Sequence, residues 1–228
     1  MKALFFDTGP LITLTLNNLL WLIKPLKEKF GGKFLITKHV KKELVEKPFE
    51  IKRFKFEALQ ILKYINDNII ETYDNYELKN KTQELLKIAN NCFFYHEKPI
   101  HIVDYAEMET LSACLLTKST AVVVDERTTR LLIERPQQLK EILTKKLHKN
   151  IRANKKNIEL LRRIIKDIKL IRTSELAIVA YKLGLLDKYL VKIEKARENL
   201  LDSILWGIKL NGCAISKREI EEIIKREK

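Results

Sequence analysis

Seven acidic residues stand at places in this chain where carboxylates can do chemistry: Asp7, Glu43, Asp104, Glu107, Glu109, Asp125 and Glu126. Asp7 follows the short apolar run Ala3-Leu4-Phe5-Phe6 and enters the turn Thr8-Gly9-Pro10. A carboxylate at the carboxyl end of a first buried strand sits where open α/β sheets bind ligands and metals. Glu43 falls on a helix, six residues past the cap residue Thr37. Asp104, Glu107 and Glu109 cluster at the start of a helix, and Asp125 and Glu126 directly follow the apolar run Ala121-Val122-Val123-Val124. Carboxylates held together without cations repel and raise each other's pKa. Hard divalent cations such as Mg2+ or Mn2+ relieve that repulsion. One or two of them can activate a water and neutralise charge on a scissile phosphate. Taken singly, each acid also has a structural use. Asp7, Asp125 and Glu126 can cap helices, the trio at 104–109 can favour a helix dipole, and Glu43 can be a solvated helix residue. The conjunction is what points to a divalent-metal phosphodiesterase.

These acids require a scaffold that brings strand ends to one edge. Residues 3–6, 34–36 and 121–124 are predicted strands by their short, apolar, bounded runs, with shorter candidates at 69–70 and 170–171. Helical periodicity is predicted over 10–27, 38–45, 54–66, 76–89, 103–117 and 128–134. Beyond the basic stretch, helices are predicted from Ser174 through Lys182 and from Tyr189 to Leu210. Ser216-Lys217-Arg218-Glu219 reads as a capping box opening the last one. Strands separated by helices, with no hairpin signal, predict an α/β fold: three layers, α/β/α, around a central parallel sheet. In such a sheet the carboxyl ends of all strands face one edge, so acids after the first and fourth strands can converge.

The charge balance names a class of partner. The chain has 228 residues, with 44 Lys and Arg against 30 Asp and Glu, a formal net charge of +14. This excess favours a polyanion, nucleic acid or an acidic membrane surface. Between about 135 and 168 it is concentrated in what reads as a basic helical hairpin. There Lys145, Lys146, Lys149, Arg152, Lys155, Lys156, Arg162 and Arg163 are candidate nucleic-acid contacts, and Leu and Ile recur at helical spacing. Few aromatics interleave with these cations, which argues against base stacking. No apolar stretch reaches the roughly 18 residues of a spanning helix, and the first residues have too short an apolar core for a signal peptide. Cys92, Cys114 and Cys213 form no CxxC pair and are expected to be reduced, core-filling thiols. A cytoplasmic protein without membrane contact is the expectation. Motifs for zinc proteases, P-loops, dinucleotide binding and nucleophile elbows are missing. A haloacid-dehalogenase-like phosphatase also begins with a strand-end Asp, but it needs an acid two residues later, where this chain has Gly9.

Four segments together carry a family resemblance: Leu4-Phe5-Phe6-Asp7-Thr8-Gly9-Pro10-Leu11-Ile12; Ile36-Thr37-Lys38-His39-Val40-Lys41-Lys42-Glu43-Leu44; Ala106-Glu107-Met108-Glu109-Thr110-Leu111-Ser112-Ala113; and Val122-Val123-Val124-Asp125-Glu126-Arg127. In order and spacing they resemble a PIN domain over residues 1–135. Ser174 to Ile223 is similar to the tail of an archaeal and bacterial PIN-like group. The resemblance implies a three-layer α/β ribonuclease using Mg2+ or Mn2+, with RNA as substrate, many such proteins being homodimeric toxins paired with a protein antitoxin. It implies Asp7 as the first acid, Glu43 as the second, Glu109 as the third with Glu107 close by, and Asp125 or Glu126 as the fourth. Glu126 departs from the Asn-Asp or Asp-Asp pair common in the family. The implied organisation is a PIN-like core over 1–134, a basic helical insertion over 135–168, and a last strand with C-terminal helices over 169–228. The alternative is a PIN-like module that binds nucleic acid or dimerises without catalysis.

Overall fold

The computed structural model describes residues 1–227, so Lys228 at the end of the C-terminal segment lies outside it. Five strands form the central sheet: β1 (Ala3–Phe6), β2 (Lys33–Thr37), β3 (Glu71–Tyr73), β6 (Ala121–Val123) and β8 (Lys169–Ile171). Their order is β3-β2-β1-β6-β8, and every neighbouring pair is parallel. β1 is buried along its whole length, as a central parallel strand with both faces covered must be.

Side-chain alternation along these strands divides the core in two. Leu4, Phe6, Phe34, Ile36, Ala121 and Val123 belong to one apolar cluster. Ala3, Phe5, Leu35, Val122 and Val124 belong to the other. On the first face pack α1 (Thr8–Leu16), α2 (Ile23–Phe30), α3 (Lys38–Lys41), α4 (Lys47–Ile51), α5 (Lys55–Asn66), α11 (Thr173–Lys182), α12 (Ala196–Leu210) and α13 (Lys217–Arg226). On the second pack α6 (Leu78–Ala89), α7 (Tyr105–Thr117), α8 (Arg127–Glu134), α9 (Pro136–Leu147) and α10 (Lys155–Ile164). The three-layer α/β/α arrangement around a parallel sheet is thus as expected from the alternation of elements.

Three local features differ from the sequence expectations. The helix expected over 10–27 is broken, because Asn18 takes a left-handed conformation (φ 55°) between α1 and α2. The helix expected from Tyr189 begins only at Ala196, after Lys195 at φ 53°. The basic stretch is not a helical hairpin: between α9 and α10 it contains β7 (Ile151–Ala153). This strand pairs antiparallel with β4 (Phe93–Tyr95), which also pairs antiparallel with β5 (Lys98–Pro99), making a small second sheet. Residues of the basic stretch also fill the core: Leu139, Ile151, Ile158, Leu161 and Ile165 are buried in the cluster that contains Phe5 and Val122. Cys92, Cys114 and Cys213 are free and buried, and burial pushes their thiols up to about 12, 11 and 12. Among the described residues no helix is long and apolar enough to cross a membrane.

The topology selects one edge of the sheet. The chain runs outward from β1 through β2 to β3, then returns to the other side of β1 for β6 and β8. Strand order therefore reverses at β1, and a crevice opens beyond the carboxyl ends of β1 and β6.

Candidate active-site cleft

Asp7 and Asp125 are the residues that the two central strands deliver into this crevice. The Asp7 N–H donates to the Val123 carbonyl at 3.0 Å, so the chain leaving β1 stays hydrogen-bonded to β6. A Cβ placed on Gly9 would lie 3.7 Å from the Asp125 Cβ, so the turn after Asp7 packs directly against Asp125. A cleft of about 310 Å³ results, lined by Asp7, Glu43, Asp104, Glu107, Asp125 and Glu126, together with Thr8, Thr13, Asn211 and Gly212. No Lys, Arg or His is among the residues lining it. In a chain of net charge +14, an acidic cleft without a lining cation is a concentrated exception.

Asp7 is the anomalous member. It occupies the N-cap position of α1, yet its side chain caps nothing. Its Oδ1 is buried and has no hydrogen-bond partner. Burial pushes the Asp7 carboxyl up to about 7, reinforced by the negative charges of Glu107 and Glu43. The N–H groups of Thr8 and Gly9 pull the other way without offsetting this. These first-turn N–H groups lower the pKa as a cap does, but burial outweighs them and Oδ1 is left without a partner.

The other carboxylates of the cleft are turned toward donors. Glu43 accepts from Thr8 Oγ1 at 2.7 Å and from Lys47 Nζ at 3.1 Å. Glu107 accepts from Thr129 Oγ1 at 2.7 Å and, closing a capping box, from the Asp104 N–H at 2.8 Å. Burial raises Glu107 as well. Asp104 lies 2.9 Å from His101 Nε2, and Glu126 accepts from the Thr128 N–H at 3.1 Å, capping α8. Asp125 spends both oxygens on Thr173, accepting from its N–H at 2.8 Å and its hydroxyl at 2.7 Å.

Glu109 is placed differently from its expected role as third acid. Two residues along a helix rotate the side chain by roughly 200°, so Glu107 and Glu109 cannot face the same way. Glu107 lines the cleft. Glu109 is buried toward His39, accepting from the His39 N–H at 3.1 Å and lying 2.7 Å from its Nδ1. Thr129 and Thr173 are the partners that sequence reasoning missed. Thr173 had a signal of its own, since it follows β8 at the same edge as Asp7 and Asp125.

As a donor set, an all-oxygen cleft with an orphaned carboxylate oxygen suits a hard divalent cation such as Mg2+ or Mn2+, and not zinc. Among the described residues, however, no three His, Cys, Asp or Glu side chains are gathered closely enough to hold a metal ion. Of the carboxylates among the described residues, Asp7 alone keeps an oxygen that is buried and unpaired.

The basic residues lie elsewhere. Arg152, Lys155 and Arg162 line a cavity of about 720 Å³ between α9, α10 and the small sheet. Lys156 lines a smaller opening that shares Arg152 and Lys155 with that cavity. Lys149 sits 4.2 Å over the Tyr95 ring, and Lys145, Lys146 and Arg163 are exposed.

The fold and cleft define an open parallel α/β protein with an acidic crevice at its topological switch point. No family model matches the chain, and neither a curated protein nor a solved structure matches it.

Proposed function

We propose that the chain hydrolyses phosphodiester bonds of RNA in the acidic cleft, with a hard divalent cation as cofactor. The observation that carries this reading is the buried, unpaired Oδ1 of Asp7, in a cleft lined by six carboxylates and no cation. RNA as the substrate rests on the resemblance to PIN domains and on the net charge of +14. Asp7 and Glu107 would hold the cation, with Glu43 next to them. When bound, Mg2+ or Mn2+ supplies an activated water and neutralises charge on the scissile phosphate. Thr8 orients Glu43, and Thr129 orients Glu107, each through a hydroxyl donated to the carboxylate. Asp125 acts one step back: its bonds to Thr173 fix the end of β6 against α11, and so fix the wall that Asp7 faces.

Cleavage of labelled single-stranded RNA with Mg2+ or Mn2+, and with EDTA, tests the assignment. Glu107→Gln is expected to lower metal-dependent cleavage by about 100-fold or more. Glu109→Gln is expected to leave it within roughly threefold, because Glu109 serves His39 and not the cleft. Cleavage that survives Glu107→Gln, or fails only in Glu109→Gln, overturns this placement.

The second reading is a nucleic-acid-binding or dimerising module of the same fold. It is favoured by the fact that no three side chains among the described residues form a ready metal shell. A wild-type chain that cleaves no RNA in either metal would favour it.

A further inference from the structure

A second cleft, of about 630 Å³, adjoins the acidic one and has a net positive lining, with Glu134, Glu219 and Glu222 outnumbered by arginines. The two share walls. Glu126 lines the acidic cleft and Arg127, the next residue, lines the second; likewise Gly212 lines the first and Ala214 the second. Ala214 joins them by hydrogen bonds, its N–H donating to the Asp125 carbonyl at 3.1 Å and its carbonyl accepting from Arg172 Nη1 at 3.0 Å. Five arginines line this second cleft: Arg127, Arg130, Arg135, Arg172 and Arg218.

Their partners differ in a way that leaves charge available. Arg172 is buried and fully engaged, paired with Glu175 at 2.6 Å and Glu219 at 2.9 Å, and it serves as a fixed floor. Arg218 is paired with Glu222 at 2.8 Å. Arg130 reaches Glu134 at 3.3 Å through Nη2, while its Nε is buried and has no acceptor. Arg127 and Arg135 are exposed, and among the described residues neither is in an ion pair. Two uncommitted guanidinium groups flank a third with an orphaned donor. Guanidinium forks match phosphate oxygens bidentately.

We propose that this arginine cleft binds the backbone phosphates of an RNA strand beside the one held over Asp7, with Arg127 nearest the acids and Arg130 and Arg135 further along. The inference rests on the ribonuclease reading for the direction of the strand, but the basis for phosphate binding is the cleft itself. It puts the substrate path along α8, and not through the larger cavity lined by Arg152, Lys155 and Arg162.

The test is fluorescence anisotropy of a labelled single-stranded RNA of about a dozen nucleotides, binding the full chain in EDTA across a range of KCl. Because Arg127 and Arg135 are exposed and unpaired, the double variant R127A/R135A is expected to fold as the wild type does, which circular dichroism verifies. The slope of log K against log salt is expected to flatten by about 1.4, two phosphate contacts at roughly 0.7 each on a single strand. R127K/R135K is expected to retain the wild-type slope. An unchanged slope in R127A/R135A, or one that flattens only in K155A/R162A, overturns this inference and leaves the ribonuclease reading standing. Arginine-dependent binding without metal-dependent cleavage overturns the ribonuclease reading alone. A wild-type chain that binds no RNA overturns both.

Discussion

Asp7→Asn is expected to raise the stability of the chain at pH 8 and to leave it nearly unchanged at pH 4. The carboxyl of Asp7 is pushed up to about 7 from an ordinary value of 3.8, by burial first and then by Glu107 and Glu43. The folded state therefore keeps its proton while the unfolded state loses it. Between about pH 4 and pH 7 the folded chain binds more protons than the unfolded one, so stability falls as pH rises. Above pH 7 the full penalty, about 4 kcal/mol, is present. Asparagine carries no charge to desolvate, though its amide must also be accommodated. A net gain of about 3 kcal/mol at pH 8 is expected, or roughly 10 °C in Tm. Thermal melts of the two proteins at pH 4 and pH 8 check it, and equal differences at both values contradict it. A residue whose removal stabilises the fold is kept for another reason, and sites of function are where such costs collect.

Asp125→Ala is expected to act in the opposite direction. Asp125 follows β6 as Asp7 follows β1, but its carboxylate accepts both the N–H and the hydroxyl of Thr173 in a fully buried setting. Removing it leaves two buried donors without an acceptor, at a cost of about 3 kcal/mol. Denaturant or thermal unfolding should show a loss of roughly 10 °C in Tm. Asp125→Asn, which keeps one acceptor, is expected to lose about half as much. Unchanged stability in Asp125→Ala would show that the bonds to Thr173 do not hold the wall of the cleft. Two aspartates at adjacent strand ends thus have opposite thermodynamic signs, one an anchor and one a stored cost.

The strand-end position of both residues was legible from sequence, because a short apolar run ending in Asp admits few other readings in a parallel sheet. The split of β1 into two core faces follows from simple alternation of Leu4 and Phe6 against Phe5. Which acids face the cleft was not legible. Glu107 and Glu109 sit on a helix whose first turns are buried nearly all round, so no polar face marks the direction of either. The small antiparallel sheet was hidden for a related reason. Its strands have two or three residues, too few to show alternation, and its hairpin turns at His96 with φ 51° and not at a glycine. Ile151 reads as one more apolar position of a helical stripe until Phe93-Phe94-Tyr95 is brought beside it. The arginine cleft assembles residues from α8, the segment after it, Arg172 ahead of α11, and α13 with the turn before it. Pairings over such separations are set by the topology and leave no local mark.

We propose that the unpaired Oδ1 of Asp7 is kept for a divalent cation. The most direct test is the thermal stability of the wild type and of Asp7→Asn at pH 7.5, titrated with Mn2+ and with Mg2+. A cation that binds only the folded state adds about 2.7 kcal/mol at a hundredfold excess over its dissociation constant. A saturable rise of roughly 5–10 °C in wild-type Tm is expected, and none in Asp7→Asn. No rise in the wild type, or an equal rise in Asp7→Asn, would contradict it.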